Sequence, residues 1–343
     1  MQSISTIGLD IAKSVFQVHG VDAAGQVVVR RQLRRRQVLA FFQRLPPCLV
    51  GIEACASSHH WSRELQALGH TVRLMPPAYV KPYVKRQKND ATDAEAICEA
   101  VTRPNMRFVP TKTVEQQSCL MVHRARHLFI RQQTAVINSI RAYLAEFGIV
   151  APVGRRGVEH LLEVVADPTD RRLPDVARRC LAALGSQLRA LKAEILEFDR
   201  CITAWHRSNA TSQRLDAIPG VGPALATALV ASVADPGTFR SGRDFSAWIG
   251  LVPKQNSSGG KNKLGSISKQ GDRYLRSLFT AGALAVIRYA KIYGTRHRPW
   301  LTALLARRPT KVAAIALANK LARMAWAMMA RNERYKEPAA LAA

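Results

Sequence analysis

The chain has 343 residues, enough for about two domains and at least one substantial core. Its 51 Lys and Arg against 24 Asp and Glu give a formal charge of +27, yet 48 % of the residues are hydrophobic, which excludes a disordered basic tail. A folded surface of that charge favours polyanions, nucleic acid first among them.

The six cysteines, Cys48, Cys55, Cys98, Cys119, Cys180 and Cys201, are scattered, with no CxxC pair and no metal-finger spacing. They read as reduced, mostly buried thiols of a cytoplasmic protein rather than a secreted disulfide framework. The opening segment lacks a basic n-region and carries Asp10 and Lys13, so it does not read as a signal peptide. The longest apolar stretches, residues 224–234 and 277–287, are too short for a bilayer span of about 20 residues. They read as buried core helices, and no membrane partner is expected.

In chain order, residues 4–10, 14–19 and 26–33 are short β-rich runs, the last two joined by a turn flanked by Gly20 and Gly25. Residues 37–45 have helical spacing, 48–53 form an apolar strand ending on an acid, 58–68 are helical, and 71–75 form a strand stopped by Pro76-Pro77. A three-strand meander followed by alternating helix and strand predicts a mixed sheet covered by helices. The spacing then predicts long helices over 114–147 and 175–205, around a looser stretch at 148–174. They form either an antiparallel coiled-coil arm or a helical hairpin packed on its own domain. From Phe239 onward there are 20 Lys/Arg against 4 Asp/Glu, so the basic excess concentrates at the C-terminal end.

Three acidic motifs stand at element ends: Gly8-Leu9-Asp10-Ile11-Ala12-Lys13, Gly51-Ile52-Glu53-Ala54-Cys55 and Lys88-Asn89-Asp90-Ala91-Thr92-Asp93-Ala94. Alone, Asp10 suits a turn cap, and Asp90 with Asp93 suits the first turn of a helix. Together, four carboxylates that converge without cations would repel and raise one another's pKa, which a hard divalent ion such as Mg²⁺ relieves. Two such ions would stabilise the attacking and leaving oxygens at phosphorus.

Ile218-Pro219-Gly220-Val221-Gly222 joins two helical stretches and suits a helix-hairpin-helix holding a DNA phosphate, or a plain αα turn. Further on, Lys254, Ser257-Ser258-Gly259-Gly260, Lys261, Lys263, Lys269, Arg273 and Arg276 form a glycine-rich basic loop. A serine there could be a nucleophile, or the loop could only grip phosphate. No Ser-His-Asp arrangement is visible, and His59-His60-Trp61 reads as helix surface plus core aromatic.

Taken in this order, the motifs resemble the insertion-sequence one-hundred-ten family of transposases, also described as bridge-RNA-guided serine recombinases, and most of all its eleven-eleven subgroup. The resemblance covers residues 3–330. It implies an α/β RNase H-like (RuvC-like) DEDD domain over 1–112 and a long-helix, coiled-coil region over 113–207. A mostly α transposase domain would follow over 208–343, with a helix-hairpin-helix at 215–234 and a serine loop at 251–276. Asp10, Glu53, Asp90 and Asp93 would hold Mg²⁺, and Ser258 would be the nucleophile that forms a phosphoserine link to DNA. Gly220, Gly222, Lys254, Lys261, Lys263, Lys269, Arg273 and Arg276 would contact nucleic acid. The implied partners are donor and target DNA, a noncoding bridge RNA and further copies of the chain, as a dimer or a tetramer on DNA in the bacterial nucleoid. The competing readings are a RuvC-type metal-dependent junction nuclease and a non-catalytic architectural nucleic-acid-binding protein.

Overall fold

The computed structural model describes residues 3–85, 89–294 and 299–336. The chain divides into two compact units, Met1–Val114 and Glu115–Ala343.

The first unit is a five-stranded mixed sheet in the order β3-β2-β1-β4-β5. The strands are β1 (Thr6–Ile11), β2 (Val15–Val21), β3 (Val27–Arg34), β4 (Leu49–Glu53) and β5 (Thr71–Met75). β1, β2 and β3 pair antiparallel as the predicted meander, while β4 and β5 run parallel to β1. Helices α1 (Val38–Phe42), α2 (Ser58–Ala67), α3 (Pro77–Val80) and α4 (Asp90–Val101) complete the unit. Ile7, Leu9, Val50 and Ile52 share a buried core with Val38, Phe42, Trp61 and Leu65, which places α1 and α2 over that face. Trp61 is indeed a core aromatic, set edge-on to Phe16 with ring centroids 5.0 Å apart.

α4 covers the other face, and two glycines admit it. A Cβ on Gly8 would lie 2.0 Å from the Ala94 carbonyl oxygen, and one on Gly51 would lie 2.7 Å from the Val101 Cβ. Gly8 and Gly51 are paired across β1 and β4, so the helix crosses the sheet where no side chain stands.

In the second unit, α5 (Val114–Ala145) and α7 (Asp175–Ser208) are the two long helices. The Arg126–Asp199 and Phe129–Phe198 contacts near one end, and the shared cluster of Ile140, Leu144, Leu181 and Leu188 at the other, set them antiparallel. The stretch between them is not loose. It contains α6 (Arg155–Ala166), whose Val158, Leu161, Val164 and Val165 close the cluster. The Pro and Gly punctuation that suggested a linker only brackets this helix.

The rest of the unit is α8 (Ala210–Asp216), α9 (Pro223–Ser232), α10 (Gly242–Ile249), the β6–β7 hairpin (Pro253–Gln255, Leu264–Ile267), α11 (Arg273–Tyr293), α12 (Pro299–Arg307) and α13 (Thr310–Arg331). The expected apolar helices are core: α9 buries Leu225 and Leu229, and α11 buries Leu275, Phe279, Ala283 and Ile287. α13 is long and apolar enough to cross a membrane by length and composition, but its Leu317, Ala318, Leu321 and Ala325 are buried in this same core.

A buried polar network ties the long helices to this core. Thr227 Oγ1 donates to the Pro223 carbonyl at 2.7 Å, so it accepts from His123 Nε2–H at 2.9 Å, which leaves Nδ1 to accept from the Tyr274 hydroxyl at 3.0 Å. Arg126 reaches the same hydroxyl and donates from Nε to Asp199 at 2.6 Å. Burial holds the His123 imidazole neutral, with its pKa pushed down to about 4. All six cysteines are free, but Cys55, Cys180 and Cys201 are exposed, so only half are the buried thiols expected.

Two outcomes follow from this packing. Gly8→Ala should destabilise the first unit by about 1–3 kcal/mol or more, seen as a lower urea midpoint, because backbone rather than a flexible side chain meets the new methyl. His123 binds a proton more readily unfolded than folded, so its contribution to stability is intact above pH 6.5 and lost as pH falls toward 4. The melting temperature should therefore drop across that window, and His123→Gln should flatten the drop.

Candidate active site

The acids reach one place because of strand register. Side chains alternate along a strand, so the residue two beyond a glycine that faces α4 also faces α4. Gly8-Leu9-Asp10 and Gly51-Ile52-Glu53 repeat that pattern on adjacent parallel strands, with Leu9 paired to Ile52. Asp10 and Glu53 therefore stand together at the strand ends on the helix side. Across the antiparallel half of the sheet, Gln17 pairs with Asp10 and Gln32 with Gln17. Both glutamines line a recess of about 270 Å³ with Val18, His19, Arg30 and Glu95.

α4 delivers the other two acids. Asn89 caps the helix, its side chain accepting the Ala91 N–H at 3.0 Å, and Asp90 and Asp93 occupy the first turn, where the helix dipole favours negative charge. The first-turn reading of these two acids thus holds. Lys88, which opens this motif, lies outside the described residues.

The convergence is recorded in Asp10. Its pKa is raised to about 6, first by burial and then by the charges of Asp93, Asp90 and Glu53. The other three are close enough for their charges to act on Asp10. Among the described residues, however, no three His, Cys, Asp or Glu side chains are grouped tightly enough to share an ion as they stand. The donor set still fits a hard divalent cation: it offers carboxylate oxygen only, and the charges of Asp93, Asp90 and Glu53 all act to raise the Asp10 pKa.

The serine loop is a hairpin. Gln255 pairs with Leu264, and Ser258 bridges Lys261 around Gly259-Gly260. Both glycines have positive φ, 55° and 75°, as a two-residue hairpin turn requires. The structure separates the two serines. Ser257 Oγ accepts from the Lys263 backbone N–H at 3.2 Å and from Gln255 Nε2 at 3.1 Å, whereas the exposed Ser258 hydroxyl has no hydrogen-bond partner among the described residues. By alternation, Lys254, Asn256, Lys261 and Lys263 share the face of Ser258.

Lys254, Lys261, Lys263, Lys269 and Arg273 are exposed. Arg276 is engaged within the fold: its guanidinium donates to the carbonyls of Ile249 at 2.8 Å and Gln270 at 3.2 Å, bracing the loop before α11. In the α8–α9 turn, Gly220 faces α11, where a Cβ would come within 2.9 Å of the Gly282 carbonyl oxygen, while Gly222 faces open space. Of the pair, Gly222 leaves a backbone approach clear.

One constellation escaped the sequence. His206 Nδ1 lies 2.8 Å from Ser212 Oγ and its Nε2 lies 3.7 Å from an Asp216 oxygen. Ser212 is 0 % exposed, so this Ser-His-Asp set is closed to any substrate and serves the α7–α8 junction. His59, in the motif beside Trp61, accepts the Lys112 N–H at 3.2 Å.

Comparison with known proteins defines the class first. Residues 7–149 match the DEDD transposase domain of the IS110 type, described as "Transposase", and residues 212–298 match "Transposase IS116/IS110/IS902 family". A probable family 20 transposase of Pseudomonas aeruginosa is 51 % identical over 97 % of this chain and 99 % of its own. The transposase for insertion sequence element IS1111A of Coxiella burnetii is 40 % identical over 98 % and 92 %. The transposase for insertion sequence element IS1328 of Yersinia enterocolitica is 38 % identical over 95 % and 97 %. The chain belongs to the IS110/IS116/IS902 family of transposases, and residues 7–149 carry that family's DEDD, RuvC-like domain.

The raised Asp10 pKa has a sign that can be checked. The folded carboxyl binds a proton more readily than the unfolded one between pH 3.8 and about 6, so this group destabilises the fold as pH rises through that window. Asp10→Asn should stabilise the metal-free protein at pH 7.5 by about 1 kcal/mol once partial solvent screening of the half-buried group is allowed for, seen as a higher melting temperature. Millimolar Mg²⁺ should stabilise the wild type at pH 7.5, less below pH 6, and should leave Asp10→Asn unmoved.

Proposed function

We propose that the chain is the transposase of an insertion sequence, which cuts and rejoins DNA through Ser258 and a Mg²⁺-dependent carboxylate site. The observation that carries the serine half is the free hydroxyl of Ser258 at the hairpin tip, beside a Ser257 already occupied by hydrogen bonds. In the reaction, Ser258 Oγ loses its proton and bonds to the phosphorus of a DNA phosphodiester. One P–O bond of the DNA breaks, and the departing DNA oxygen takes up a proton. A second DNA hydroxyl then reverses the step, so the strand is rejoined without net hydrolysis. Lys254, Lys261 and Lys263 hold the phosphate against the hairpin.

Asp10, Glu53, Asp90 and Asp93 are the residues that would hold Mg²⁺, which when bound supplies positive charge against the phosphate oxygens. The support for this is the crowding of three carboxylates on Asp10. The first unit is read as an RNase H-like fold, and α5 and α7 as an arm that contacts another copy. We further propose that the carboxylates of one copy work with the serine of another, in a dimer that becomes a tetramer on DNA. Pairing with donor and target DNA is delegated to a noncoding bridge RNA, which suits a basic chain with no evident base-reading helix. The α8–α9 turn is read as a helix-hairpin-helix that steadies the duplex backbone.

The test is a covalent adduct. Incubated with a nicked substrate carrying its element end and Mg²⁺, the wild type and Ser257→Ala should form a protein–DNA species that survives SDS. Ser258→Ala should form none. Cleavage that persists in Ser258→Ala would establish the junction nuclease instead, with water as the nucleophile. Full strand exchange by Asp10→Ala would leave only an architectural role for the first unit.

A further inference from the structure

Beside the base of the serine hairpin, the second unit opens into a groove of about 1440 Å³. One stripe of α13 forms much of its floor: Lys311, Ile315, Asn319, Arg323 and Ala327 recur every fourth residue, and all line it. The start of α10, the start of α12 and the hairpin residues Pro253, Gly265, Ser266 and Ile267 supply the walls.

Two properties identify the occupant. The body of the groove is apolar and aromatic. Trp326 is fixed there by donating from Nε1 to the Pro236 carbonyl at 3.1 Å, and Trp300 is 40 % exposed, with Lys320 Nζ 5.0 Å from its ring centroid. The charged lining is wholly cationic: Arg243, Lys311, Lys320 and Arg323 are all exposed, and no Asp or Glu lines the groove among the described residues. An apolar protein segment would satisfy the body and leave four cations unmatched. A duplex would satisfy the cations but presents its bases stacked inside. An unpaired strand satisfies both, since each base has an apolar face and each base brings one phosphate.

We propose that this groove binds a single-stranded segment of nucleic acid, with bases against Trp300 and Trp326 and phosphates on Lys311, Lys320, Arg243 and Arg323. The proposal rests on the reading of the chain as a nucleic-acid-processing enzyme. It adds where an unpaired strand is held, next to the hairpin that carries Ser258.

The experiment uses the full chain and fluorescein-labelled single strands of about 20 nucleotides, DNA and RNA, with a duplex of the same sequence. Lys311→Ala with Lys320→Ala should weaken single-strand binding about tenfold and lower the steepness of its salt dependence by about 1.4, that is about 0.7 for each lost phosphate contact. Duplex affinity should stay within about twofold. Trp300→Ala should cost single-strand affinity about tenfold, with Trp300→Phe restoring most of it. A strand carrying 5-iodouracil should photo-cross-link to the Trp300 peptide. Melting curves matching the wild type guard against misfolding, and the two lysines are exposed, so their loss leaves the core intact.

Single-strand binding unchanged in these variants, or lost equally for duplex, would overturn the proposal. So would a change of oligomeric mass with unchanged single-strand binding, which would make the groove a contact between copies. The Ser258 adduct, assayed in the same preparations, separates the two readings. No adduct from wild-type protein that binds single strands through the groove counts against the chemistry alone. A normal adduct with groove variants that bind as wild type counts against the groove alone.

Discussion

The seat of α4 on two bare glycines governs the first unit. Without side chains at Gly8 and Gly51, the helix backbone comes down onto the sheet, and its first turn is carried to the ends of β1 and β4. There the same strand alternation that keeps the glycines under the helix turns Asp10 and Glu53 toward Asp90 and Asp93. One packing contact thus fixes both the fold and the charge cluster. The electrostatic strain of that cluster falls on Asp10, whose pKa is raised by burial and by its three carboxylate neighbours.

The second unit is organised differently. Its core is a continuous apolar mass of α8 to α13, and a polar chain of Asp199, Arg126, Tyr274, His123 and Thr227 links it to the long helices, separate from the buried His206–Ser212 pair. Tyr274 lies in the first turn of α11, just after the loop that returns from the hairpin. Arg276 braces that loop through the carbonyls of Ile249 and Gln270. Rigid anchoring therefore extends up to the base of the β6–β7 ribbon and stops there.

Much of this was legible in the sequence. The meander, the parallel strands ending on acids, the two long helices and the apolar core helices follow from periodicity and punctuation, which report local backbone preference and burial. α6 was not legible, because Pro152, Gly154, Pro168 and Pro174 around it carry a stronger local signal than its short apolar stripe. The four acids could be named from their places at element ends. Their convergence needed the β1–β4 register, a long-range pairing that no local pattern encodes. The inward turn of Arg276, the packing of Gly220 on Gly282 and the pinning of Ser257 are likewise tertiary facts; residue type alone gave Arg276 and Gly220 the look of nucleic-acid contacts and did not separate Ser257 from Ser258.

The hairpin has one more consequence. β6 is exposed along its whole length, and β7 is half-buried only at Ile267, so no apolar layer backs the ribbon. A reactive group mounted on an unsupported ribbon is not aimed by its own domain. On the function proposed above, its direction is set by whatever the ribbon lies against, and Ser258 would be aimed only once polyanionic partners have assembled around it.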